Sequence, residues 1–209
     1  MRGRGPKEAF GQAGSRVKEF FSSHSILIVF VRDVQPVEVP AGGLTFVEAS
    51  KTDAAGYERD IATDSAATFI ARLGPGMHCF LAMDGSRIVH ATWVTEVAAW
   101  TRELRSYLVP PEGHAYIYES YTSPAARGKG AYPFVLLNVV NWAATKGLGR
   151  LWVAVESENA ASRRAVEKAG FAPAFEIAFR RSLGALEIEL PKPSPDRLEL
   201  RKKFSRVGG

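Results

Sequence analysis

Cysteine and long apolar segments are nearly absent from this sequence. Cys79 is the only cysteine among 209 residues, so no disulfide can form within the chain. We therefore expect a protein of a reducing compartment, the cytoplasm. The longest apolar run is Ile26–Val31, whereas a membrane-spanning helix needs about 20 such residues. The first residues also lack the apolar core of a secretory signal, so the sequence predicts no membrane partner.

The motifs of several enzyme classes are missing as well. No group of His, Cys and carboxylate residues has the spacing of a metal site, so we expect no metal. Neither a Gly-x-Ser-x-Gly element nor a Ser-His-Asp pattern is present. His90 and His114 stand alone, and a lone histidine is more often structural than catalytic. Cys79 lies among apolar strand residues, which predicts a buried thiol that packs as a small hydrophobic group.

The basic charge lies at the two ends of the chain. Residues 1–24 contain five Lys and Arg against two Asp and Glu, and residues 192–209 contain six against two. The net charge of +5 therefore leaves the body of the chain at −2. A nucleic-acid-binding domain usually has a basic face with exposed aromatic residues. We therefore do not expect nucleic acid as the main partner, although weak binding through the basic tails stays a lesser alternative.

Hydrophobic patterning predicts a single α/β domain over residues 25–190. It is preceded by a basic, partly helical segment, 1–24, and followed by a Pro-rich break and a basic tail, 191–209, with a short helix. The expected elements are a helix at 15–24, a strand at 25–34, helices within 52–73, a hairpin about Asp84-Gly85, a strand at 115–122, a helix at 131–147, a strand at 150–155, a helix at 159–170 and a closing hairpin at 175–190. The strand–helix–strand unit at 115–155 requires a right-handed crossover and a parallel strand pair. The result is a mixed sheet with helices on both faces.

Residues 98–113 form a long connection in this scheme. A connection of that length suits a lid or a specificity loop. Its polar and aromatic side chains are suited to an acidic or ring-shaped acceptor. They are Trp100, Arg102, Glu103, Arg105 and Tyr107.

The glycine-rich stretch AARGKGAYP, residues 125–133, lies between a predicted strand and a predicted helix. Backbone N–H groups at such a helix start favour an anion. Gly128 and Gly130 remove side chains that would block its approach, and Arg127 and Lys129 add positive charge. Taken alone, the stretch fits a phosphate cradle or a plain turn equally well. It does not match a Walker loop, a dinucleotide fingerprint or a kinase loop.

Two longer stretches carry a family resemblance. YTSPAARGKGAY, residues 121–132, resembles the acyl-coenzyme A loop of the GNAT superfamily of N-acetyltransferases. LWVAVESENAASRRAVEKAGF, residues 151–171, resembles the next strand, the Asn and the second helix of that family. Two motifs at the family's spacing are much more specific than either alone, and the order of elements agrees over roughly residues 25–190.

The resemblance implies a mixed, mostly antiparallel sheet with a splayed central parallel pair, here residues 115–122 and 150–156. The pantetheine arm of acetyl-CoA would lie in the splay and pair with strand residues like an added strand. The loop N–H groups would hold the pyrophosphate. The residues implied in binding acyl-CoA are Ser120, Thr122, Arg127, Gly128, Lys129, Gly130, Ala131, Tyr132 and Asn159.

Two positions depart from the family pattern. Tyr132 stands where the family usually has Gly or Ala, and it either crowds the loop or adds a contact. Val166 stands where the family often has a tyrosine, proposed as the acid that protonates the leaving thiolate. A valine has no proton to give.

Acetyl transfer to an amine requires a base, a polarised thioester carbonyl and a proton for the leaving group. Glu119, in the middle of a central strand, is the preferred base, with Ile117 and Tyr121 on its face by alternation. Glu156, just past a strand end, is the alternative base. For the acid, Tyr118, Tyr121 and Tyr132 are all expected near the thioester and none stands out, and direct proton loss to solvent is a further alternative. Tyr121 is the tyrosine that we include among the catalytic residues.

The sequence therefore predicts an N-acetyltransferase that moves an acetyl group from acetyl-CoA to a primary amine by direct transfer. The acceptor is a small-molecule or peptide amine that the sequence does not specify, and a homodimer is left open. The departures at Tyr132 and Val166 support an alternative, an acyl-CoA-binding or sensing domain without turnover.

Overall fold

The computed structural model of the protein describes residues 22–182, 185–190 and 196–202. The strands are β1 (Ser22–Asp33), β2 (Thr45–Glu48), β3 (Met77–Asp84), β4 (Arg87–Thr95), β5 (Ala99–Thr101), β6 (Ser106–Val109), β7 (His114–Thr122), β8 (Arg150–Glu156), β9 (Ala172–Ser182), β10 (Ala185–Glu189) and β11 (Glu199–Arg201). The α-helices are α1 (Ala54–Asp60), α2 (Ala66–Arg72), α3 (Ala131–Thr145) and α4 (Ala160–Lys168). Single 3-10 turns cover Lys51–Asp53 and Pro124–Ala126.

Eight of these strands form one sheet in the order β10-β9-β1-β8-β7-β4-β3-β2. Within it, β7 and β8 run parallel, and the other neighbouring pairs are antiparallel. The parallel pair follows from the connection through α3, because a crossover brings the chain back to the same end of the sheet. The predicted mixed, mostly antiparallel fold is therefore confirmed.

The parallel pair separates partway along its length. The ladder runs from His114 opposite Arg150 to Ile117 opposite Val153. In the part of the chain that the structure describes, no pairing between β7 and β8 follows this point. The remaining residues of β7 stay paired with β4, so the edge of β7 that faces β8 is open there.

Helices cover both faces of the large sheet. On one face, α3 and α4 pack on alternate strand residues such as Phe30 and Ile117. On the other face, α1 and α2 pack around Trp93 and Cys79. Cys79 is fully buried, as expected from its apolar neighbours, and burial raises the pKa of its thiol. No described helix is both long and apolar enough to traverse a bilayer.

Two local expectations are wrong. Residues 98–113 are not an irregular loop, because β5 and β6 form a hairpin whose Leu104 and Leu108 are fully buried. The described part of the tail is not a short helix: β11 pairs with β6, and the neighbouring Leu198 packs into the same apolar cluster. The helix expected at 15–24 lies outside the described residues, except that β1 already begins at residue 22.

Candidate functional site

A cavity of about 570 Å³ opens where β7 and β8 separate. Six separate parts of the chain line it. They are Leu27; Thr63 and Asp64; residues 100–103; residues 116–121 of β7; Tyr132 in the first turn of α3; and the end of β8 with the start of α4, namely residues 153–156, Asn159 and Ser162. The walls of this cavity therefore come together only through the tertiary fold.

A β-bulge in β7 shapes the cavity. Tyr118 pairs with Trp93 and Tyr121 with Ala91, so two residues of β7 oppose the single Thr92 of β4. Glu119 takes the strained residue of this bulge, with φ of 47°. Such a conformation costs energy in a non-glycine residue and persists only where the surrounding structure holds it. Residues of this kind are concentrated at functional sites.

Because of the bulge, the side chains of β7 do not face the sides of the sheet that the sequence predicted. Ile117 packs in the cluster beneath α3, whereas Tyr121 packs against the cluster beneath α1 and α2. They do not share a face, because the extra residue breaks the two-residue alternation. Glu119 itself is not a buried residue, since 54% of its side chain is exposed.

Arg72, at the end of α2, holds the Glu119 carboxylate. Its Nη2 lies 2.6 Å from Glu119 Oε2, and its Nη1 binds Asp64. The guanidinium lies 3.9 Å from the centre of the Trp93 ring. Burial works against the charge of Arg72, but Tyr118 and Glu119 outweigh it and raise the Arg72 pKa. A permanently charged side chain with two carboxylate partners and an aromatic stack is an effective anchor.

The cavity is rich in carboxylates. Asp64, Glu103, Glu119 and Glu156 line it, and Arg102 is the cation among its lining residues. Trp100 also lines it, with 48% of the residue exposed, and the indole packs edge-on against Tyr107 at 5.1 Å. This lining suits a cationic acceptor with an apolar part, whereas the connection 98–113 was expected to suit an acidic or a ring-shaped one.

A second cavity, of about 650 Å³, lies at the glycine loop. It is lined by the end of β7, the loop, the first turn of α3 and one side of α4, including Arg127, Arg164 and Lys168. Lys129, expected to bind the cofactor, does not line either cavity. The Arg127 side chain folds back: its Nε donates to the Thr122 carbonyl at 3.3 Å, and its guanidinium lies over Tyr121.

The loop presents unpaired donors. Gly128 and Gly130 have φ of 76° and 81°, a conformation that favours glycine. Within the described chain, the N–H groups of Gly128, Gly130, Ala131 and Tyr132 donate no hydrogen bond to protein. These groups lie at the N-terminus of the fifteen-residue helix α3, where an anion is favoured.

Asn159 stands at the start of α4. Its Oδ1 accepts a hydrogen bond from the Ser162 N–H at 3.1 Å and so caps the helix. The side-chain amide nitrogen of Asn159 keeps its two hydrogens for other partners. Val166, in the last turn of the same helix, is fully buried in the core.

A buried polar chain runs beneath the junction of the two cavities. His90 is fully buried, with Nδ1 2.7 Å from Thr122 Oγ1 and Nε2 2.7 Å from Thr92 Oγ1. Thr92 Oγ1 donates to Ser120 Oγ at 3.0 Å. Burial lowers the pKa of His90 to about 3, so the imidazole is neutral. His114, in contrast, accepts from the Trp152 indole at the far end of β7, as a structural residue does.

Five residues line both cavities, so the two spaces meet at them: Ser120, Tyr121, Tyr132, Asn159 and Ser162. Tyr132 follows the loop directly, and its ring stacks on His90 with centroids 5.0 Å apart. The tyrosine therefore adds an aromatic contact at the place where the family pattern has a small residue.

Most of the sequence-predicted residues surround these cavities. Glu119 and Tyr121 line the first, Thr122, Arg127 and the glycines line the second, and Glu156 lies at the rim of the first. Sequence reasoning missed Arg72 and Asp64, which no local motif marks. It also left His90 without a role. Among the described residues, no cluster of His, Cys, Asp and Glu could hold a metal ion.

Comparison with known proteins gives one family. The model of the acetyltransferase (GNAT) family matches residues 47–171. No curated protein sequence shows significant similarity to the chain.

Solved structures share the fold. A GCN5-related N-acetyltransferase from Sphaerobacter thermophilus is 14% identical, with a TM-score of 0.56 over 82% of this chain and 56% of the other. A GNAT-family protein from Novosphingobium aromaticivorans DSM 12444 is 16% identical, with a TM-score of 0.53 over 75% and 63%. The ribosomal-protein-S18-alanine N-acetyltransferase of Escherichia coli is 18% identical, with a TM-score of 0.50 over 63% and 79%. The chain thus spans less than two thirds of the first two, and identities this low establish the fold alone.

Proposed function

Because the chain belongs to the GNAT acetyltransferase family, we propose that it transfers an acetyl group from acetyl-CoA to a primary amine within a ternary complex. The observation that carries this proposal is the continuity of two spaces. A loop with free N–H donors opens into the splay between β7 and β8, and the splay opens into a carboxylate-lined cavity.

The second cavity fits coenzyme A. The free N–H groups of Gly128, Gly130, Ala131 and Tyr132 suit the pyrophosphate, and Arg164 and Lys168 of α4 add positive charge beside them. The open edge of β7 around Ser120 and Thr122 suits the amides of the pantetheine arm. The side-chain amide nitrogen of Asn159 is available to donate a hydrogen bond to the same arm. Bound acetyl-CoA would supply the thioester at the junction of the cavities.

The first cavity fits an amine. Its carboxylates attract an ammonium group and raise its local concentration. An ammonium must lose a proton before it attacks, and Glu119, held by Arg72, is the base we propose, acting directly or through water. Glu156 is the alternative base. Tyr121 lines the same cavity and is the acid proposed from the sequence.

The test is a thiol-release assay with acetyl-CoA and a panel of amines, including polyamines, aminoglycosides and peptides with free N-termini. We expect release that depends on a cationic amine and saturates with acetyl-CoA. Calorimetry with acetyl-CoA is run in parallel. Absence of binding at millimolar acetyl-CoA would end the proposal.

One observation favours a second candidate, an acyl-CoA-binding or sensing domain. Val166 is fully buried in the core, so α4 presents no acid there. Tight binding of acetyl-CoA without thiol release in the presence of any amine would favour sensing over catalysis.

The small cysteine content supports a cytoplasmic location, and gel filtration would test for a homodimer. Binding of nucleic acid through the basic tails remains the least supported role.

A further inference from the structure

We propose that Trp100 selects the acceptor by packing against an aromatic ring of the amine, and that strand β11 of the tail holds this tryptophan in place. This role rests on the proposed acetyl transfer and concerns the part of the acceptor that carboxylates do not recognise. An ammonium group accounts for the charge of the first cavity but leaves its apolar lining without a role.

Trp100 is unusually exposed for its size. Among the residues that the structure describes, the exposed large hydrophobic ones are Ile70, Val97, Trp100 and Leu190, and Trp100 is the most exposed of them at 48%. Of these four, only Trp100 lines either of the two cavities. An indole in water forgoes the stabilisation that burial of its apolar surface would give. A large aromatic residue exposed inside a binding cavity is therefore best explained by a ligand that covers it.

The position of Trp100 is set by a small three-stranded sheet of order β11-β6-β5. Trp100 of β5 is paired with Tyr107 of β6, and Tyr107 is in turn paired with Arg201 of β11. The rings of Trp100 and Tyr107 meet with centroids 5.1 Å apart. Strand β6 therefore determines where the indole lies, and β11 supports β6 from the other side.

The side of the small sheet away from Trp100 packs on the large sheet, because neighbouring residues of a strand face opposite sides. Leu104 and Leu108 of the hairpin are buried there together with Leu198, which directly precedes β11. Tyr116 of β7 belongs to the same apolar cluster and also lines the first cavity. One cluster thus joins the tail, the hairpin and the cavity wall, so the tail contributes to the position of Trp100.

The turn of the hairpin is also tied to the large sheet. Arg181 of β9 donates from Nη2 to the carbonyl of Glu103 at 2.9 Å. Glu103 lines the first cavity beside Trp100. The hairpin therefore presents an indole and a carboxylate on a wall that is held at its turn and along its apolar side.

An aromatic ring uses this wall better than a linear chain does. Both bury the apolar surface of the indole. A ring adds an offset-stacked or edge-to-face contact with Trp100, which stabilises the complex beyond the area that is buried. The ammonium group of the same amine would face the carboxylates at the splay, such as Glu119. Aromatic amines should therefore be better acceptors than linear amines of similar length.

The rate experiment compares phenethylamine with hexylamine in the thiol-release assay at saturating acetyl-CoA. Trp100→Leu removes the ring but keeps an apolar side chain, and Trp100→Phe keeps a ring. The control is Val97→Ala, because Val97 is an exposed apolar residue just before β5 that lines neither cavity. Calorimetric affinity for acetyl-CoA is recorded for each variant.

We expect Trp100→Leu to lower kcat/KM for phenethylamine by about tenfold and that for hexylamine by less than about twofold, because only the ring loses an aromatic partner. Trp100→Phe should keep most of the preference for phenethylamine, and Val97→Ala should behave as the wild type. Acetyl-CoA affinity should be the same throughout. An equal loss for both amines, or no loss, would overturn the role of Trp100.

The role of the tail is tested with the pair Leu198→Ala and Leu190→Ala. Leu198 is 5% exposed and Leu190 is 46% exposed, so the same substitution removes packing beneath the small sheet only in the first case. Leu198→Ala should raise KM for phenethylamine and reduce the preference for it, with unchanged acetyl-CoA affinity. A lower melting temperature with an unchanged preference would show that β11 stabilises the fold without positioning Trp100.

A binding measurement on the wild type separates this role from the proposed function. The other three tryptophans, Trp93, Trp142 and Trp152, are buried, so quenching of the fluorescence by acrylamide reports mainly on Trp100. With coenzyme A present, phenethylamine should protect Trp100 from acrylamide more than hexylamine does. If no amine leads to thiol release, the proposed transfer fails, and this protection still decides whether Trp100 binds the ring. If thiol is released but Trp100 is not protected, the role of Trp100 fails and the transfer stands.

Discussion

The two ends of the site are built in different ways. The loop end is made of backbone: the free N–H groups of Gly128 and residues 130–132, two glycines and the first turn of α3. The acceptor end is made of side chains from six separate parts of the chain, with a bulge and an ion pair at its centre. A backbone cradle can be recognised in one short stretch of sequence. A side-chain cavity depends on how distant segments meet.

The two ends should also differ in the substitutions that they tolerate. At the loop, the atoms that would bind are common to all residues, so only the conformation must be kept. At the acceptor end, each carboxylate acts through its own position and charge. Substitutions at the loop should therefore change affinity for acetyl-CoA, and those at the acceptor end should change the rate or the choice of amine.

The largest effect is expected at Glu119. Glu119→Gln should lower kcat by about 10²–10⁴-fold with little change in acetyl-CoA affinity, because it removes the base and not the cradle. Glu156→Gln, at the rim of the same cavity, is the control and should change the rate much less. A pH–rate profile of Glu119→Gln identical to that of the wild type would rule out Glu119 as the base.

At the loop, Gly130→Ala should weaken acetyl-CoA binding by about tenfold, since a Cβ at φ of 81° costs about 1–2 kcal/mol and shifts the N–H groups. Gly147→Ala provides the matched control. Gly147 has φ of 70°, open space around it, and a place just beyond the far end of α3. It should lose similar stability and keep its affinity. If calorimetry gives the two variants equal affinities for acetyl-CoA, the loop is not the binding site of the pyrophosphate.

Arg72 connects the helical layer to the acceptor end. Arg72→Gln should lower kcat/KM by about tenfold, because it releases Glu119 from an ordered, charge-assisted contact. Acetyl-CoA affinity should stay unchanged. Arg150→Gln, which breaks an exposed pair with Asp33, serves as the comparison. If both variants have the same kcat/KM, Arg72 does not position the base.

The smallest effect concerns His90, between the two ends. Burial lowers its pKa in the folded protein to about 3, so the unfolded chain binds the proton more readily. The stability that comes from burying a neutral His90 is complete above the pKa that this histidine has in the unfolded chain. It is lost as the pH falls below that value, because the unfolded chain then takes up a proton. We expect the wild type to lose about 1 kcal/mol more than His90→Gln between pH 6.5 and 5.5. Denaturant unfolding at both pH values measures it, and equal losses would contradict the buried neutral state.

The sequence predicted the fold well because its signals are local. Alternating apolar residues marked the long strands, and glycines marked the ends of α3 and the turn after β3. Residues 98–113 were misjudged because β5 and β6 are short, and their hairpin is stabilised by β11, some ninety residues later. The facing of Tyr121 was misjudged because a bulge leaves no simple mark in the alternation of a strand.

By itself, the sequence determined the order of elements, the glycine loop and the two motifs that mark the family. These depend on backbone conformation and on neighbours within a few residues. Only the tertiary structure decided that Arg72 meets Glu119, and that Thr122, His90, Thr92 and Ser120 form one hydrogen-bonded chain. The physical reason is that these contacts cross between helices and neighbouring strands, where register and bulges set which side chains meet.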